Sequence, residues 1–140
     1  MRVLLDTCTL AEVRKADGNA AVKAAVREVP DADLFLSVLS VGEITKGVAL
    51  LGSSKKKAAL SSWLAALENR FAGRILGLDV ETGRIWGELT ARAQKRGIII
   101  PAADGLLAAT ALRHGLHVMT RNTKHFEASG ALVVDPWRNG

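Results

Sequence analysis

The sequence has a single cysteine and no apolar run long enough to cross a membrane, and each scarcity excludes a class of protein. A lone Cys8 cannot form an internal disulfide or a cysteine-based zinc site, so packing must stabilise the fold. The longest apolar runs, such as LFLSVLSV, are far shorter than the roughly 18 residues that span a bilayer. No charged start leads into an apolar signal segment. We therefore expect a cytoplasmic protein without a membrane segment.

The rest of the composition is that of an ordinary globular protein. The chain has 140 residues, 49% of them hydrophobic and 24% charged, with 13 glycines and 3 prolines, which excludes disordered and collagen-like classes. This length favours one domain over residues 1–140 with one core. Lysine and arginine number 19 against 14 acidic residues, and the net charge of +5 favours an anionic partner. Proteins that bind no nucleic acid also carry such a charge.

Short apolar stretches alternate with longer stretches of helical periodicity along the whole chain. Asn19 is a predicted N-cap, and four helical stretches are predicted to end at Gly52, Gly73, Gly97 and Gly115. Strands separated by helices imply right-handed crossovers and a parallel sheet covered on both faces. The predicted fold is therefore an α/β three-layer sandwich, with a mostly parallel sheet of about five strands flanked by helices. The predicted strands are RVLLD, DLFLS, RILGLD, LHVMT and ALVVD.

Asp6 directly follows the first predicted strand. In an open α/β sheet, residues at the carboxyl ends of strands lie at the edge where ligands bind, which would make Asp6 a functional residue. Aspartate is also a favoured N-cap, so Asp6 could merely cap the helix that follows. The sequence leaves both roles open.

Glu43 lies early in the helix after the second strand, on the same helical face as Ser40 and Gly47. These small neighbours would leave its carboxylate room to meet a metal or a substrate. SVGE also matches a capping box, in which Glu43 would only bind its own helix start. If Ser37 caps the helix instead of Ser40, Glu43 is too deep for a capping box and its charge has no structural use.

Two further stretches place polar side chains at the same predicted edge. Asp104 lies in PAADGLLAATA, whose other residues are small or apolar, and a carboxylate there is costly without a partner. The dipole of a helix N-terminus would compensate in part. Thr120 and Asn122 follow the next strand, although asparagine is also common in turns.

Three carboxylates at one edge would repel one another unless a cation lies among them. Their oxygens suit Mg²⁺ or Mn²⁺, and the lack of a cysteine and histidine cluster argues against zinc. A metal held in this way can hydrolyse a phosphodiester bond, because it makes hydroxide available and stabilises charge on the phosphate. The excess of basic residues would then offset the charge of a nucleic-acid backbone.

Six motifs carry a family resemblance when they are taken in their order and spacing. They are LLDTCTL, LSVLSVGEITKGVALL, FAGRILGLD, PAADGLLAATA, VMTRNTKHF and the terminal DPW. With them the sequence resembles the PIN-domain ribonucleases over essentially its whole length. Within that family it is most similar to the VapC and FitB-like toxins of bacterial toxin–antitoxin pairs.

This resemblance implies a metal-dependent endoribonuclease that acts on structured RNA such as tRNA or rRNA and so blocks translation. Asp6, Glu43 and Asp104 would be its catalytic acids and would hold Mg²⁺ or Mn²⁺, with Thr7 and Thr120 in support. The resemblance further implies a homodimer and a cognate antitoxin whose C-terminal segment covers the site. A five-stranded parallel sheet is the fold that it implies.

The sequence departs from its relatives at three positions. Asn122, a supporting residue, stands where several relatives have a fourth acid, so a second metal position should be weaker. His125 stands where related chains often have Asp; a protonated His could contact phosphate there, but we expect a surface substitution without a role. Cys8 replaces the usual Asn, which removes a hydrogen bond that would orient Asp6. Arg121, next to Asn122, is the predicted phosphate contact.

Two other functions are alternatives to an endoribonuclease. Because of Asn122, the chain could be a catalytically weakened PIN-like module that binds RNA or an antitoxin. A receiver-like phosphoacceptor domain is disfavoured, since it needs an acidic pair after the first strand and a lysine after the last. Here Asp6 is followed by Thr7, and the last strand leads into Asp135 and Pro136.

Overall fold

The computed structural model of this protein describes residues 1–138, which form strands and helices in alternation. No helix in this described part is both long and apolar enough to cross a membrane. The strands are β1 (Val3–Leu5), β2 (Leu34–Ser37), β3 (Ile75–Leu76), β4 (His117–Met119) and β5 (Val133–Val134). The helices are α1 (Thr7–Arg14), α2 (Ala20–Glu28), α3 (Val38–Ala49), α4 (Lys55–Arg70), α5 (Val80–Lys95), α6 (Ala102–His114) and α7 (Thr123–Ala128).

The five strands form one parallel sheet in the order β3-β2-β1-β4-β5. β1 and β4 therefore lie inside the sheet and are covered on both faces, which explains why VLL is apolar without alternation. Leu4 packs with residues of α5, α6 and α7 on one face. Val3 and Leu5 pack with residues of α1, α2 and α4 on the other. The predicted three-layer α/β sandwich with a parallel sheet is confirmed.

Glycines end three of the four helical stretches as predicted. Gly73, Gly97 and Gly115 follow α4, α5 and α6 with positive φ angles, a conformation that favours glycine after a helix. Gly52 does not have a positive φ, and α3 already ends at Ala49. The predicted stop at Gly52 was therefore wrong.

Sequence periodicity missed the short helix α7, which has 6 residues. Such a length gives fewer than two turns, so a repeating apolar face cannot be recognised in the sequence. The one buried side chain of α7 is Phe126, which packs with residues of α5 and α6 on the same face of the sheet. Asn19 caps α2 as predicted, and its side chain accepts hydrogen bonds from the N–H groups of Ala21 and Val22.

Candidate active site at the carboxyl rim

Polar residues gather at the edge of the sheet where β1, β2 and β4 end, here called the carboxyl rim. These strands are neighbours, so residues that follow them are brought together. α3 begins directly after β2, and α6 contributes its first turn. The carboxyl rim consists of Asp6, Thr7, Cys8, Ser40, Glu43, Asp104, Thr120, Asn122 and His125.

Asp6 has both of the roles that the sequence left open. Its Oδ1 accepts a 2.7 Å hydrogen bond from the Thr7 N–H at the start of α1, so it caps that helix. Its Oδ2 accepts a 2.7 Å hydrogen bond from the hydroxyl of Thr120, which is fully buried at the end of β4. The carboxylate of Asp6 is thereby fixed across two neighbouring strands, and it remains half-buried at the surface.

Glu43 does not belong to a capping box. α3 is capped by Ser37, whose Oγ accepts a 3.0 Å hydrogen bond from the Leu39 N–H, so Glu43 lies beyond the first turn. Its Oε1 lies 3.0 Å from the Thr7 hydroxyl, which is also 2.9 Å from the Oγ of Ser40. A hydroxyl has a single hydrogen, so Thr7 donates to one of these two acceptors at a time. The contact of Glu43 with Thr7 joins α3 to α1.

Asp104 lies in the first turn of α6 and is held from the loop after β4. Its Oδ2 accepts a 2.8 Å hydrogen bond from the side-chain amide of Asn122. The backbone N–H of Asn122 in turn donates to Thr120 Oγ1 over 3.0 Å. Asn122 makes no side-chain cap, so its amide links Asp104 to the Thr120–Asp6 pair instead of forming a local turn.

His125 also contacts Asp104, which the sequence did not predict. Its Nδ1 lies 2.9 Å from Asp104 Oδ2 and 3.3 Å from the Asn122 amide nitrogen. His125 thus lies at the rim, and the expectation that it has no role stays a prediction. Once α7 is recognised, Asn122 and His125 lie one turn apart at its start, a spacing that places both side chains on one face.

Cys8 also lies beside Asp6. Its Sγ is 3.4 Å from Asp6 Oδ2 and 3.6 Å from Thr120 Oγ1. Partial burial raises the pKa of the Cys8 thiol above its ordinary value, and the charge of Asp6 raises it further. A thiol that stays protonated is a poor nucleophile, so Cys8 is not suited to nucleophilic catalysis. Asp6 is oriented by Thr120, despite the lack of an Asn at position 8.

Arg121 lies on the surface between Thr120 and Asn122. Its guanidinium carbon is 5.7 Å from the ring centroid of Trp137, within the range of a cation–π contact. No sequence pattern indicates this pairing, because the two residues lie apart in the chain and meet only where β4 and β5 end. Contact of Arg121 with phosphate stays a prediction.

Asp79 provides an internal comparison, since it too follows a strand and begins a helix. It follows β3 and caps α5, accepting hydrogen bonds from the N–H and the hydroxyl of Thr82 at 2.8 and 2.7 Å. The guanidinium of Arg113 lies 3.4 Å from its Oδ2. The Thr82 hydrogen bonds hold the pKa of the Asp79 carboxyl below its usual value; desolvation opposes them, and the charge of Arg113 lowers the pKa by a smaller amount.

The three rim acids fit a divalent cation by their donor chemistry. Asp6, Glu43 and Asp104 present only carboxylate oxygens, and within residues 1–138 none of them forms an ion pair with lysine or arginine. No three Asp, Glu, His or Cys side chains of that range converge into a complete ligand cluster. Mg²⁺ is commonly bound through one or two carboxylates while it retains several waters. The residues present fit an ion held in that open manner.

Comparison with known proteins defines the class. A PIN domain model matches residues 3–131, and the chain therefore belongs to the PIN domain family. It is 38% identical over 138 residues to toxin FitB of Neisseria gonorrhoeae, an alignment that covers 98% of this chain and 99% of that protein. It is 35% identical over 136 residues to VapC ribonuclease Y4jK of Sinorhizobium fredii, with 96% and 97% covered.

A solved structure gives the same result. The crystal structure of FitAcB from Neisseria gonorrhoeae matches with a TM-score of 0.92 at 39% identity, covering 96% of this chain and 98% of that one. The chain is thus a VapC- and FitB-like member of the PIN domain family, as the sequence motifs indicated.

Proposed function

We propose that this protein is a divalent-metal-dependent endoribonuclease that acts as the toxin of a toxin–antitoxin pair. The observation that carries the proposal is the carboxyl rim, where Asp6, Glu43 and Asp104 are oriented by neutral hydrogen-bond donors and by His125, with no lysine or arginine paired to them in the described structure. Asp79, which caps a helix outside the rim, is instead paired with an arginine.

In this proposal each rim residue has a defined task. Asp6, Asp104 and Glu43 would hold Mg²⁺ or Mn²⁺. Such an ion would supply hydroxide near neutral pH and would stabilise negative charge on a phosphate. Thr120 fixes Asp6, and Asn122 fixes Asp104. Preorganised acids need no rearrangement when the substrate binds.

An RNA substrate is supported by three features. The name of the Sinorhizobium relative describes it as a ribonuclease. The net charge of +5 favours a polyanion. Arg121 lies on the surface next to two rim residues, where its guanidinium can contact a phosphate. We propose structured RNA such as tRNA or rRNA as the substrate, cleaved in the cytoplasm to block translation.

A cognate antitoxin is the proposed protein partner, and a homodimer the proposed assembly. Solved relatives include FitAB and VapBC complexes. In this chain a groove of about 340 Å³ between α1, α3 and α4 opens beside Thr7. Leu60 and Trp63 contribute apolar surface to it, and Arg14 and Lys56 contribute positive charge. An antitoxin segment that fills this groove would also reach the carboxyl rim.

The alternative is a binding module with weakened catalysis. Asn122 stands at the position of a fourth acid. Its amide and the ring of His125 both contact Asp104 Oδ2. If these contacts outcompete a metal, the chain would bind RNA or its antitoxin without cleaving RNA.

Calorimetry with Mn²⁺ separates the two functions. We expect the isolated wild-type chain to bind Mn²⁺, Asp104→Asn to lose that binding, and Asp79→Asn, a change outside the rim, to retain it. RNA cleavage should follow the same order and stop when the metal is chelated. A folded wild type that binds no Mn²⁺ and cleaves no RNA with either metal would reject the nuclease and favour the binding module.

A further inference from the structure

A turn follows β5 and places Trp137 beside Arg121, which lies between the rim residues Thr120 and Asn122 in the chain. Residues 135–138 form this turn, in which the Arg138 N–H donates to the Asp135 carbonyl oxygen over 3.3 Å. Asp135 and Pro136 occupy the first two positions, where a type I turn favours these residues. The Asp135 carboxylate also accepts a 3.0 Å hydrogen bond from the Trp137 N–H and lies 3.3 Å from the Arg138 guanidinium. These contacts fix the backbone at Trp137 without using its ring.

The ring of Trp137 is connected to the candidate active site through Arg121. The Thr120 N–H donates to the Val134 carbonyl oxygen over 3.0 Å, so the ends of β4 and β5 are held side by side. Arg121 directly follows Thr120, whose hydroxyl binds Asp6, and its guanidinium lies over the ring of Trp137. The pair of Trp137 and Arg121 is thus adjacent to Thr120, the residue that orients Asp6.

The surroundings of this pair favour a nucleic-acid ligand. Trp137 is only half-buried and Arg121 is exposed, so both side chains are accessible to a ligand. Arg138 is exposed as well, but its charge is offset by Asp135 of the same turn, so Arg121 supplies the positive charge of the pair. Unpaired bases of RNA stack on aromatic rings and on arginine planes, and arginine contacts the phosphates between them. Aspartates that bind a metal cannot supply such stacking.

We propose that Trp137 and Arg121 form a stacking platform for an unpaired base of RNA, which positions the neighbouring phosphate at the carboxyl rim. This inference rests on the proposed ribonuclease function and adds a binding residue to it. The platform selects RNA that offers an unpaired base beside the scissile bond. A fully paired duplex would not place a base on the ring.

Tryptophan fluorescence of metal-free protein tests the platform directly, since no cleavage occurs during the measurement. The chain has 3 tryptophans, so Trp63→Phe with Trp86→Phe leaves Trp137 as the only indole. A short single-stranded RNA should quench its fluorescence, and an abasic ribose-phosphate chain of equal length should not. Trp137→Leu should weaken RNA binding by about five- to hundredfold, the range of one stacked base, and raise KM more than it lowers kcat. Trp137→Phe should restore binding.

Two variants that each remove one positive charge separate base stacking from the electrostatic attraction of RNA to the protein. Arg121→Ala and Arg27→Ala each remove one exposed positive charge, and Arg27 lies in the last turn of α2, away from the rim. Only Arg121→Ala should reduce the preference for RNA over the abasic chain. Equal quenching by RNA and the abasic chain, or unchanged RNA affinity in folded Trp137→Leu, would overturn the platform. If RNA quenches Trp137 but no metal supports cleavage, the platform holds and the proposed function fails.

Discussion

Asp6 and Asp79 begin from the same local sequence pattern and end in different environments. Each follows a strand and caps the helix after it. Asp79 is neutralised by Arg113 and bound by Thr82 of its own helix, and these contacts lower its pKa. Within residues 1–138 Asp6 has only neutral partners, and one of them, Thr120, follows a different strand. A helix cap alone therefore does not distinguish a structural acid from a functional one.

The difference follows from the position of each strand in the sheet. β1 lies between β2 and β4, so Asp6 meets Thr120 after β4, and its neighbour Thr7 meets Ser40 and Glu43 of the helix after β2. β3 lies at the edge, so Asp79 meets its own helix and one residue of α6. Only the central position joins several elements around one carboxylate, which is the arrangement that a catalytic site needs. Variants at Asp6, Thr120 and Asp79 test this contrast between the two acids.

The largest expected effect is on cleavage by Asp6→Asn. Asparagine is as good an N-cap as aspartate, so the free energy of unfolding should change by less than about 1 kcal/mol. RNA cleavage should fall at least about hundredfold, because the charge that holds the cation is lost. Cleavage assays and thermal melts of Asp6→Asn and Asp79→Asn measured together check both statements. Comparable cleavage by the two variants would remove the distinction between these acids.

A smaller effect is expected for Thr120→Val, which removes the hydroxyl between Asp6 and Asn122. The partly buried N–H of Asn122 and one Asp6 oxygen lose a partner, which should cost about 1 kcal/mol of stability. We expect a roughly tenfold loss of cleavage as Asp6 becomes less well oriented. Thr110→Val is the matched control, since Thr110 is equally buried but its hydroxyl donates within α6, to the Leu106 carbonyl oxygen. A larger loss of activity in Thr110→Val than in Thr120→Val would contradict this role.

The sequence predicted the elements of the rim better than the contacts between them. Asp6 and Glu43 could be placed because apolar strands and helical periodicity fix where each element begins. The choice between a capping box and a free carboxylate at Glu43 needed the helix start at Ser37, which lies within the uncertainty of a sequence boundary. His125 and Trp137 could not be placed, because their partners come from distant parts of the chain and α7 is too short to give a pattern. Polar contacts between residues far apart in the chain leave no pattern in the local sequence.

Asp79→Ala should affect stability and leave the chemistry unchanged. The substitution removes the acceptor of two Thr82 hydrogen bonds at the start of α5 and the partner of Arg113. We expect the melting temperature to fall by a few degrees, as the loss of a helix cap does in a chain of this size. Cleavage per folded molecule should equal that of the wild type. Loss of activity in protein that is still folded would mean that Asp79 belongs to the site.

The smallest expected effect is on the pH dependence of stability at Asp79. Because the pKa of its carboxyl is lowered below 3.8 in the folded protein, the unfolded chain binds a proton first as the pH falls. The stabilisation from the ionised carboxyl is therefore complete above the unfolded pKa and is lost as the pH falls through the folded one. Wild type should lose more of its unfolding free energy between pH 6 and about pH 3 than Asp79→Asn does. Urea unfolding at the two pH values measures this difference, and a variant as acid-sensitive as the wild type would show that Arg113 and Thr82 do not stabilise the charged form.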